Sequence, residues 1–168
     1  GTLGAVETVD VGTQISGTIK EIYIDYNSVV KMGQLIAEID SATQAADVAQ
    51  ARANLSAAQA DLMNSKAVLF NAEKKLARTR ELARRDLIAK ADVDADESSY
   101  LSAKAQTEAS QAKIRQYRAS LSKSEINFGY TKIYSPVDGV VVAKNVDKGQ
   151  TVAASYQTPS IAEIAKDL

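Results

Sequence analysis

Large apolar residues recur at every seventh position in the first half of the chain, and a small residue follows each of them three positions later. The large residues are Val48, Leu55, Leu62, Leu69 and Leu76, and the small ones are Ala51, Ala58, Ser65, Ala72 and Thr79. The position after each small residue is polar, so the apolar stripe is narrow. A narrow seven-residue repeat is typical of a coiled coil, whereas a helix of a globular core has a broader apolar face.

The same repeat continues in the second half of the chain with a shifted phase. Its members are Val93, Tyr100, Thr107, Ile114, Leu121 and Phe128. The stretch from Gln34 to Phe128 contains none of the eight glycines and neither of the two prolines, so residues that interrupt helices are absent from it. The phase shift predicts a break near residues 86–91. We therefore expect two long helices that form an antiparallel hairpin with its tip at this break.

The predicted ends of the helices carry recognisable signals. Ser41 and Gln44 have the spacing of a capping box at the start of the first helix. Asp92 is placed to cap the second helix. Gly129 is placed to end the second helix in the left-handed conformation. The sequence thus predicts helical structure within residues 41–128.

Short apolar segments punctuated by glycine flank the helical region on both sides and predict β-strands. The two flanks repeat one another, because the apolar segments around Gly17 and Gly139 are each followed by a Gly-Gln pair, at Gly33 and Gly149. A repeat split by an insertion predicts one β domain in two halves. The predicted bounds of this domain are residues 11–40 plus 129–152.

A turn is predicted before the apolar strand of the second half. Pro136 lacks an N–H group, so it belongs at a strand start or a sheet edge. Asp138 and Gly139 form a turn signal. We expect a positive φ at Gly139, which would make Gly139→Val incompatible with the fold.

Composition excludes several function classes. The chain has 168 residues, a net charge of −1, and no Cys, His or Trp. The balanced charge does not favour nucleic acid or an anionic membrane as a partner. Without His there is no common catalytic triad, no phosphate-binding loop motif is present, and we expect no catalysis, metal or other cofactor. No apolar run reaches the length of a membrane-spanning helix.

Two families share these features. A Gly-x-Ile half followed by a Lys-x-Gly-Gln half resembles the biotinyl/lipoyl-carrier sandwich. The run from Phe128 to Val141 (Phe-Gly-Tyr-Thr-Lys-Ile-Tyr-Ser-Pro-Val-Asp-Gly-Val-Val) resembles the signature of the HlyD-type membrane fusion proteins, also called periplasmic adaptor subunits. The start of the chain, Gly1–Leu3 with Val9–Gly12, and the segments Gly149–Val152 and Gln157–Pro159 look most like the MacA branch of this family, which serves ABC exporters.

The resemblance implies an α+β fold in which a long antiparallel coiled-coil hairpin is inserted between the two halves of a lipoyl/biotinyl-like β-sandwich. It also implies a non-catalytic scaffold in the periplasm that links an inner-membrane transporter, of the ABC type, to an outer-membrane TolC-like channel. Family members assemble as hexamers and carry an inner-membrane anchor and a β-barrel domain. On this basis we expect residues 1–10 and 153–168 to be the stubs that lead to the barrel domain, with the anchor outside this chain.

The family carries an Arg, a Leu four residues later and a Ser seven residues after that at its hairpin tip, where the channel docks. Arg78 and Leu82 match this pattern, and Ala89 stands in place of the Ser. The missing hydroxyl leaves open whether this chain docks a TolC-like channel in the usual way. The many charged residues around the tip have a simpler explanation, because cations at the end of one helix and anions at the start of the next both interact favourably with the helix dipoles.

Two alternatives remain at this point. A carrier domain would present a lysine at the junction of the two halves, but residues 38–43 contain none. A plain coiled-coil spacer would share the heptad repeat but would not need the repeated flanks. Both alternatives can be tested against the fold.

Overall fold

The computed structural model of the protein describes residues 7–154 and 160–167. Within these residues, two long helices separate four short strands that precede them from four that follow. The elements in chain order are β1 (Thr8–Val11), β2 (Gly17–Ile22), β3 (Val29–Val30), β4 (Leu35–Ile39), α1 (Ala42–Arg84), α2 (Lys90–Gly129), β5 (Lys132–Tyr134), β6 (Gly139–Lys144), β7 (Thr151–Val152) and β8 (Ala162–Lys166). The other residues of the expected terminal stubs, 1–6, 155–159 and 168, lie outside the described residues.

The strands form two antiparallel four-stranded sheets, in the orders β1-β8-β6-β3 and β5-β4-β2-β7. One core contains side chains from both sheets. Val141 and Ile164 come from the first sheet, Ile19 and Ile36 come from the second, and all four are at most 1% exposed. Burial of an Ile or Val side chain stabilises a fold by about 1.5–3 kcal/mol, so these contacts hold the two sheets together. The predicted β-sandwich is confirmed.

The two Gly-Gln turns of the repeat have the same geometry. Gln34 donates its N–H to the carbonyl of Lys31 (3.0 Å), and Gln150 donates in the same way to Asp147 (3.1 Å). In each turn the Gln side-chain Oε1 also accepts the N–H of the first turn residue, at 3.0 Å in the first turn and 3.1 Å in the second. A positive φ at the third turn residue favours glycine. The glycines at that place are Gly33 (φ 82°) and Gly149 (φ 88°).

Gly139 and Gly17 have a different role, and the expectation of a positive φ at Gly139 is wrong. Both residues begin strands, and neither is among the described glycines with a positive φ. A Cβ atom on Gly139 would lie 2.1 Å from the carbonyl oxygen of Ala165, and a Cβ on Gly17 would lie 2.5 Å from Cγ2 of Ile39. These glycines are required because neighbouring strands leave no space for a side chain.

The link between β5 and β6 contains Pro136 and Asp138. The Asp138 carboxylate accepts the backbone N–H of Met32 at 2.6 Å, across the two halves of the repeat. Ser135 Oγ donates to the carbonyl of Val137 at 2.6 Å and so closes the turn around the proline. Asp138 therefore joins the second half of the sandwich to the glycine turn of the first.

The sandwich extends beyond the predicted bounds of 11–40 and 129–152. Strand β1 pairs with β8 from Thr8↔Ala165 to Val11↔Ala162, and β8 also pairs with β6. Ala162 is fully buried in the core. Residues 8–10 and 162–166, which were expected to belong to the stubs, are thus in strands of the first sheet. The sequence did not predict this, because pairing between the two ends of a chain leaves no local signal. The barrel domain beyond them remains a prediction.

The two helices form the predicted antiparallel hairpin. Small seam residues Ala51 and Ala58 of α1 are buried, as are Ala103 and Ile114 of α2. The observed break, between the end of α1 and the start of α2, falls where the heptad phase changes.

The predictions for the helix ends are correct only in part. The carbonyl of Ser41 accepts the first helical bond, from Ala45 (2.8 Å), so Ser41 is the N-cap residue. However, Asp40 Oδ1 accepts the N–H of Ala42 (3.1 Å), while Oε1 of Gln44 is buried without a hydrogen-bond partner in the described part of the chain. The glutamine arm of the predicted capping box is therefore not formed. Gly129 ends α2 as predicted but without the left-handed conformation.

Candidate functional site

The loop at the hairpin tip, residues 85–89, contains a left-handed residue, Asp86, whose φ is 56°. Leu87 donates its N–H to the carbonyl of Leu82 (3.0 Å), and Asp86 donates to the carbonyl of Ala83 (3.0 Å). This pair of bonds is the Schellman motif, in which glycine usually holds the left-handed position. The motif fixes the direction in which the chain leaves α1.

Ala89 lies at the other end of the loop, immediately before α2. Its carbonyl accepts the N–H of Asp92 (3.1 Å), which makes Ala89 the N-cap residue. The expectation that Asp92 caps the helix is therefore wrong. Asp92 lies in the first turn, where a carboxylate still interacts favourably with the helix dipole. An alanine N-cap has no side-chain acceptor for the free N–H groups of that turn.

The three residues predicted to dock a partner have different environments. Arg78 is exposed and forms no ion pair with any residue that the structure describes. Leu82 is half-buried, and its carbonyl accepts the loop hydrogen bonds from Arg85 (3.2 Å) and Leu87. Ala89 is exposed. The structure thus places Leu82 in the last turn of α1, Ala89 at the end of the tip loop, and Arg78 one helical turn before Leu82.

Most of the other cations near the tip are engaged within the hairpin. Lys75 pairs with Asp96 (3.6 Å), and Arg80 pairs with Glu97 (3.8 Å), so both pairs join α1 to α2. Arg84 and Arg85 both pair with a carboxylate of their own helix, Glu81. The pairs of Arg80, Arg84 and Arg85 are exposed, and exposed ion pairs contribute about 0.2–1 kcal/mol each. These ion pairs support helix pairing, whereas Arg78 forms no ion pair with the described residues.

Sequence reasoning missed Leu87, whose side chain is 64% exposed in the tip loop. The available signal was an apolar residue between two helices, outside both heptad series. A left-handed Asp86 could not be inferred, because Asp adopts this conformation much less often than Gly.

The groups with shifted pKa values lie on the sandwich, away from the tip in sequence. Lys148 Nζ donates to Glu21 Oε1 at 2.7 Å, and this charged hydrogen bond lowers the pKa of Glu21. The Tyr23 hydroxyl donates to Glu38 Oε2 at 2.7 Å, which raises the pKa of Tyr23. All four side chains are at the surface. Lys148 is therefore a surface lysine in an ion pair, as expected from its position in the second half of the repeat.

The junction where a carrier would present its lysine is occupied by the start of the hairpin. Strand β4 ends at Ile39 and α1 begins at Ala42, with no lysine in residues 38–43. Among the described residues, no cluster of acidic side chains has the arrangement of a metal site. Neither described helix contains an apolar stretch that could cross a lipid bilayer.

Residues 7–163 match the family model described as RND MFP, barrel-sandwich hybrid domain, where MFP denotes membrane fusion protein. The chain is 39% identical over 166 residues to the pyoverdine export membrane fusion protein PvdR of Pseudomonas aeruginosa, and this alignment covers 99% of this chain and 42% of PvdR. It is 35% identical over 165 residues to the macrolide export protein MacA of Yersinia pestis, and this alignment covers 98% of this chain and 44% of MacA. The chain thus spans less than half the length of these two curated relatives.

The crystal structure of MacA from Actinobacillus actinomycetemcomitans has the same fold. It superposes with a TM-score of 0.90 at 34% identity, over 96% of this chain and 52% of that one. The hairpin and the split sandwich are thus shared with the solved structure of MacA.

Proposed function

Because this chain belongs to the membrane fusion protein family, whose barrel-sandwich hybrid domain matches residues 7–163, we propose that it is the hairpin and sandwich part of a periplasmic adaptor in an efflux or export pump. The adaptor acts as a non-catalytic scaffold that links a transporter of the inner membrane to a channel of the outer membrane. The observation that carries this proposal is the pairing of a split β-sandwich with a long inserted hairpin, which the chain shares with MacA at a TM-score of 0.90.

The hairpin tip is the surface that we assign to the outer-membrane channel, of the TolC type. Arg78 is exposed, has no ion-pair partner among the described residues, and can donate paired hydrogen bonds to a carboxylate or to backbone carbonyls of the channel. Leu82 adds apolar contact at the base of the loop. Ala89 offers no hydroxyl, so the docking energy of this chain rests on Arg78 and Leu82.

The finer assignments rest on the likeness of the sequence to the MacA branch. We assign an ABC-type transporter as the inner-membrane partner, a hexamer as the assembly of the full-length protein, and an inner-membrane anchor with a barrel domain outside the described residues. A ring places six hairpins side by side, which gives a channel of matching symmetry several equivalent contacts and raises the avidity of the assembly.

The proposal is tested by co-precipitation of the channel and the transporter with the full-length adaptor. Arg78→Glu reverses the charge of an exposed residue, so the hairpin should retain its helicity by circular dichroism. Lys66→Glu is the matched control, because Lys66 is an exposed cation of the same helix away from the tip. We expect Arg78→Glu to abolish capture of the channel while capture of the transporter remains, and Lys66→Glu to change neither.

Leu82→Asp provides a second arm, with Met63→Asp as the control at an exposed apolar residue of the same helix. Loss of channel capture by Leu82→Asp alone would support docking at the tip. Channel capture that survives both Arg78→Glu and Leu82→Asp would show that the tip has only a structural role. Failure of the unaltered adaptor to capture any membrane transporter would contradict the adaptor function itself.

A further inference from the structure

Polar side chains interrupt the apolar seam of the hairpin at two levels, and each is paired with a polar side chain of the other helix. The hydroxyl oxygens of Ser65 and Ser110 are 3.0 Å apart, and both residues are buried. Closer to the tip, Thr79 Oγ1 donates to Asp96 Oδ2 at 2.5 Å. The side chain of Asp96 is only 14% exposed, so this contact also lies largely inside the seam.

Thr107 reinforces the first of these levels. Its buried hydroxyl lies 3.0 Å from the carbonyl of Ala103 in its own helix and 3.3 Å from the carbonyl of Ser65 across the seam. A hydroxyl in a helix can always bond to the carbonyl four residues earlier, so the contact within α2 does not depend on the partner helix. The contact with Ser65 does depend on it.

The apolar residues alone do not determine how the two helices are aligned. Both seams repeat every seven residues, so a slip of one helix by seven positions again places large residues against the same kinds of neighbour. The two polar pairs do not survive such a slip. Ser65 would face Ala103 after a slip in one direction and Tyr117 after a slip in the other, and Thr79 would lose Asp96.

We infer that the Ser65–Ser110 and Thr79–Asp96 pairs form a register lock, which selects one alignment of the two helices over those shifted by a heptad. Both pairs are symmetric about the bond between Leu87 and Ile88, so they specify the same alignment. The Thr79 hydroxyl also lies 2.8 Å from the carbonyl of Lys75 in its own helix, so the wrong alignment costs most at Asp96, whose largely buried carboxylate would lose the hydroxyl. A buried polar residue specifies register when the wrong alignment removes its partner on the other helix.

The lock decides which residues form the hairpin tip. A slip of the alignment moves the centre of the turn along the chain, away from the loop of residues 85–89. The Schellman motif at Asp86 and the N-cap at Ala89 would then be lost. In an adaptor, the lock thus keeps Arg78 and Leu82 in place for the channel, a consequence that rests on the proposed function, whereas the lock itself does not.

Thiol crosslinking with a short bismaleimide can read the register directly, because the chain contains no cysteine. The side-chain ends of Arg80 and Glu97 meet across the two helices (3.8 Å), so a crosslink between Arg80→Cys and Glu97→Cys reports the observed alignment. Seven residues of a helix span about 10 Å, so a short crosslinker distinguishes alignments that differ by one heptad. Lys104 and Lys90 are exposed and lie one heptad to either side of Glu97 on α2. Arg80→Cys combined with Lys104→Cys or with Lys90→Cys therefore reports the two slipped alignments.

Each cysteine pair is treated with the crosslinker in three versions of the protein. One has the natural seam, one carries Ser65→Ala, Ser110→Ala, Thr79→Ala and Asp96→Ala, and the control carries Ser56→Ala and Ser102→Ala at exposed positions of the two helices. In the natural seam and in the control, only the 80–97 crosslink should form. In the four-alanine variant, we expect the rate of a slipped crosslink to rise on the order of tenfold, with helicity unchanged.

The same experiment can overturn the proposal in two ways. A four-alanine variant that forms only the 80–97 crosslink would show that the polar pairs do not select the register. A loss of helicity without any slipped crosslink would show that the pairs stabilise the hairpin but do not discriminate between alignments. If the four-alanine variant does not fold, the double variant Ser65→Ala with Ser110→Ala is used, and it must show a smaller rise in the slipped product.

Discussion

Substituting alanine at Gly139 should strongly destabilise the β-sandwich, since strand β6 lies between two neighbours that leave no space at this position. Gly139 is paired with Val30 of β3 on one side and with Lys166 of β8 on the other. The added Cβ would lie 2.1 Å from the carbonyl oxygen of Ala165 and 2.8 Å from Cγ2 of Ile164. The first contact is with backbone, so a change of rotamer cannot relieve it and β6 and β8 must move apart.

The expected cost follows from this geometry. Overpacking in a well-packed core costs about 1–3 kcal/mol, and a clash with backbone should fall at the upper end, about 3 kcal/mol. Gly12→Ala is the matched control, because a Cβ there meets nothing within 4 Å and the φ of Gly12 is not positive. It should change the free energy of unfolding by no more than about 0.5 kcal/mol.

Asparagine substitutions at Gly33 and Gly139 distinguish lack of space from backbone strain. Gly33 has a positive φ and open space around its Cβ position, so Gly33→Asn should cost less than Gly33→Ala, because Asn tolerates the left-handed region better. At Gly139 the order should reverse, since the larger Asn side chain worsens the clash. Urea unfolding measures the stability of the alanine and asparagine variants, and hydrogen exchange of peptides from β6 and β8 locates the change. Equal stability of Gly139→Ala and Gly12→Ala, or a rescue of Gly139 by Asn, would refute the account of close strand approach.

Three further predictions concern the hairpin tip and the sandwich surface. Ala89→Ser should stabilise the hairpin by about 1 kcal/mol, because the hydroxyl can accept a hydrogen bond from a free N–H of α2. Slower hydrogen exchange in the first turn of α2 would show this stabilisation. Unchanged exchange would argue against an N-cap at Ala89. Asp86→Gly should raise the urea midpoint by removing left-handed strain of about 1 kcal/mol, and a lower midpoint would contradict the Schellman geometry. Lys148→Met should raise the pKa of Glu21 toward its ordinary value of 4.5 in a carboxyl NMR titration. Because Lys148 lowers that pKa in the folded state, its contribution to stability should be present above about pH 4.5 and disappear as the pH falls through the folded pKa, and an unchanged Glu21 titration would refute the pairing.

The helices and the repeated turns could be predicted from the sequence because their causes are local. The absence of Gly and Pro from residues 34–128 permits uninterrupted helices, and the phase change of the heptads locates the break. Gly33 and Gly149 were predictable for a similar reason, since a four-residue turn with its own hydrogen bonds selects glycine.

Two of the features that sequence reasoning missed arise from contacts between distant segments. Strand β1 pairs with β8 across almost the whole chain, and no local pattern of either strand records its partner. The same holds for Gly139, which resembles a turn glycine in sequence but is required by the approach of Ala165. At the tip, Arg78 could be identified from a motif, but its lack of an ion-pair partner among the described residues depends on which neighbouring charges pair with each other.

Photocrosslinking in living cells tests the proposed adaptor role most directly. A photoreactive amino acid is placed at position 78 of the full-length protein, with a second version labelled at Lys66 on the same helix away from the tip. We predict that position 78 forms a covalent adduct with an outer-membrane channel, identifiable by mass spectrometry, and that position 66 forms none with that channel. Docking through the hairpin tip would be contradicted if the channel were crosslinked at position 66 but not at position 78. It would also be contradicted if neither position were crosslinked to a channel.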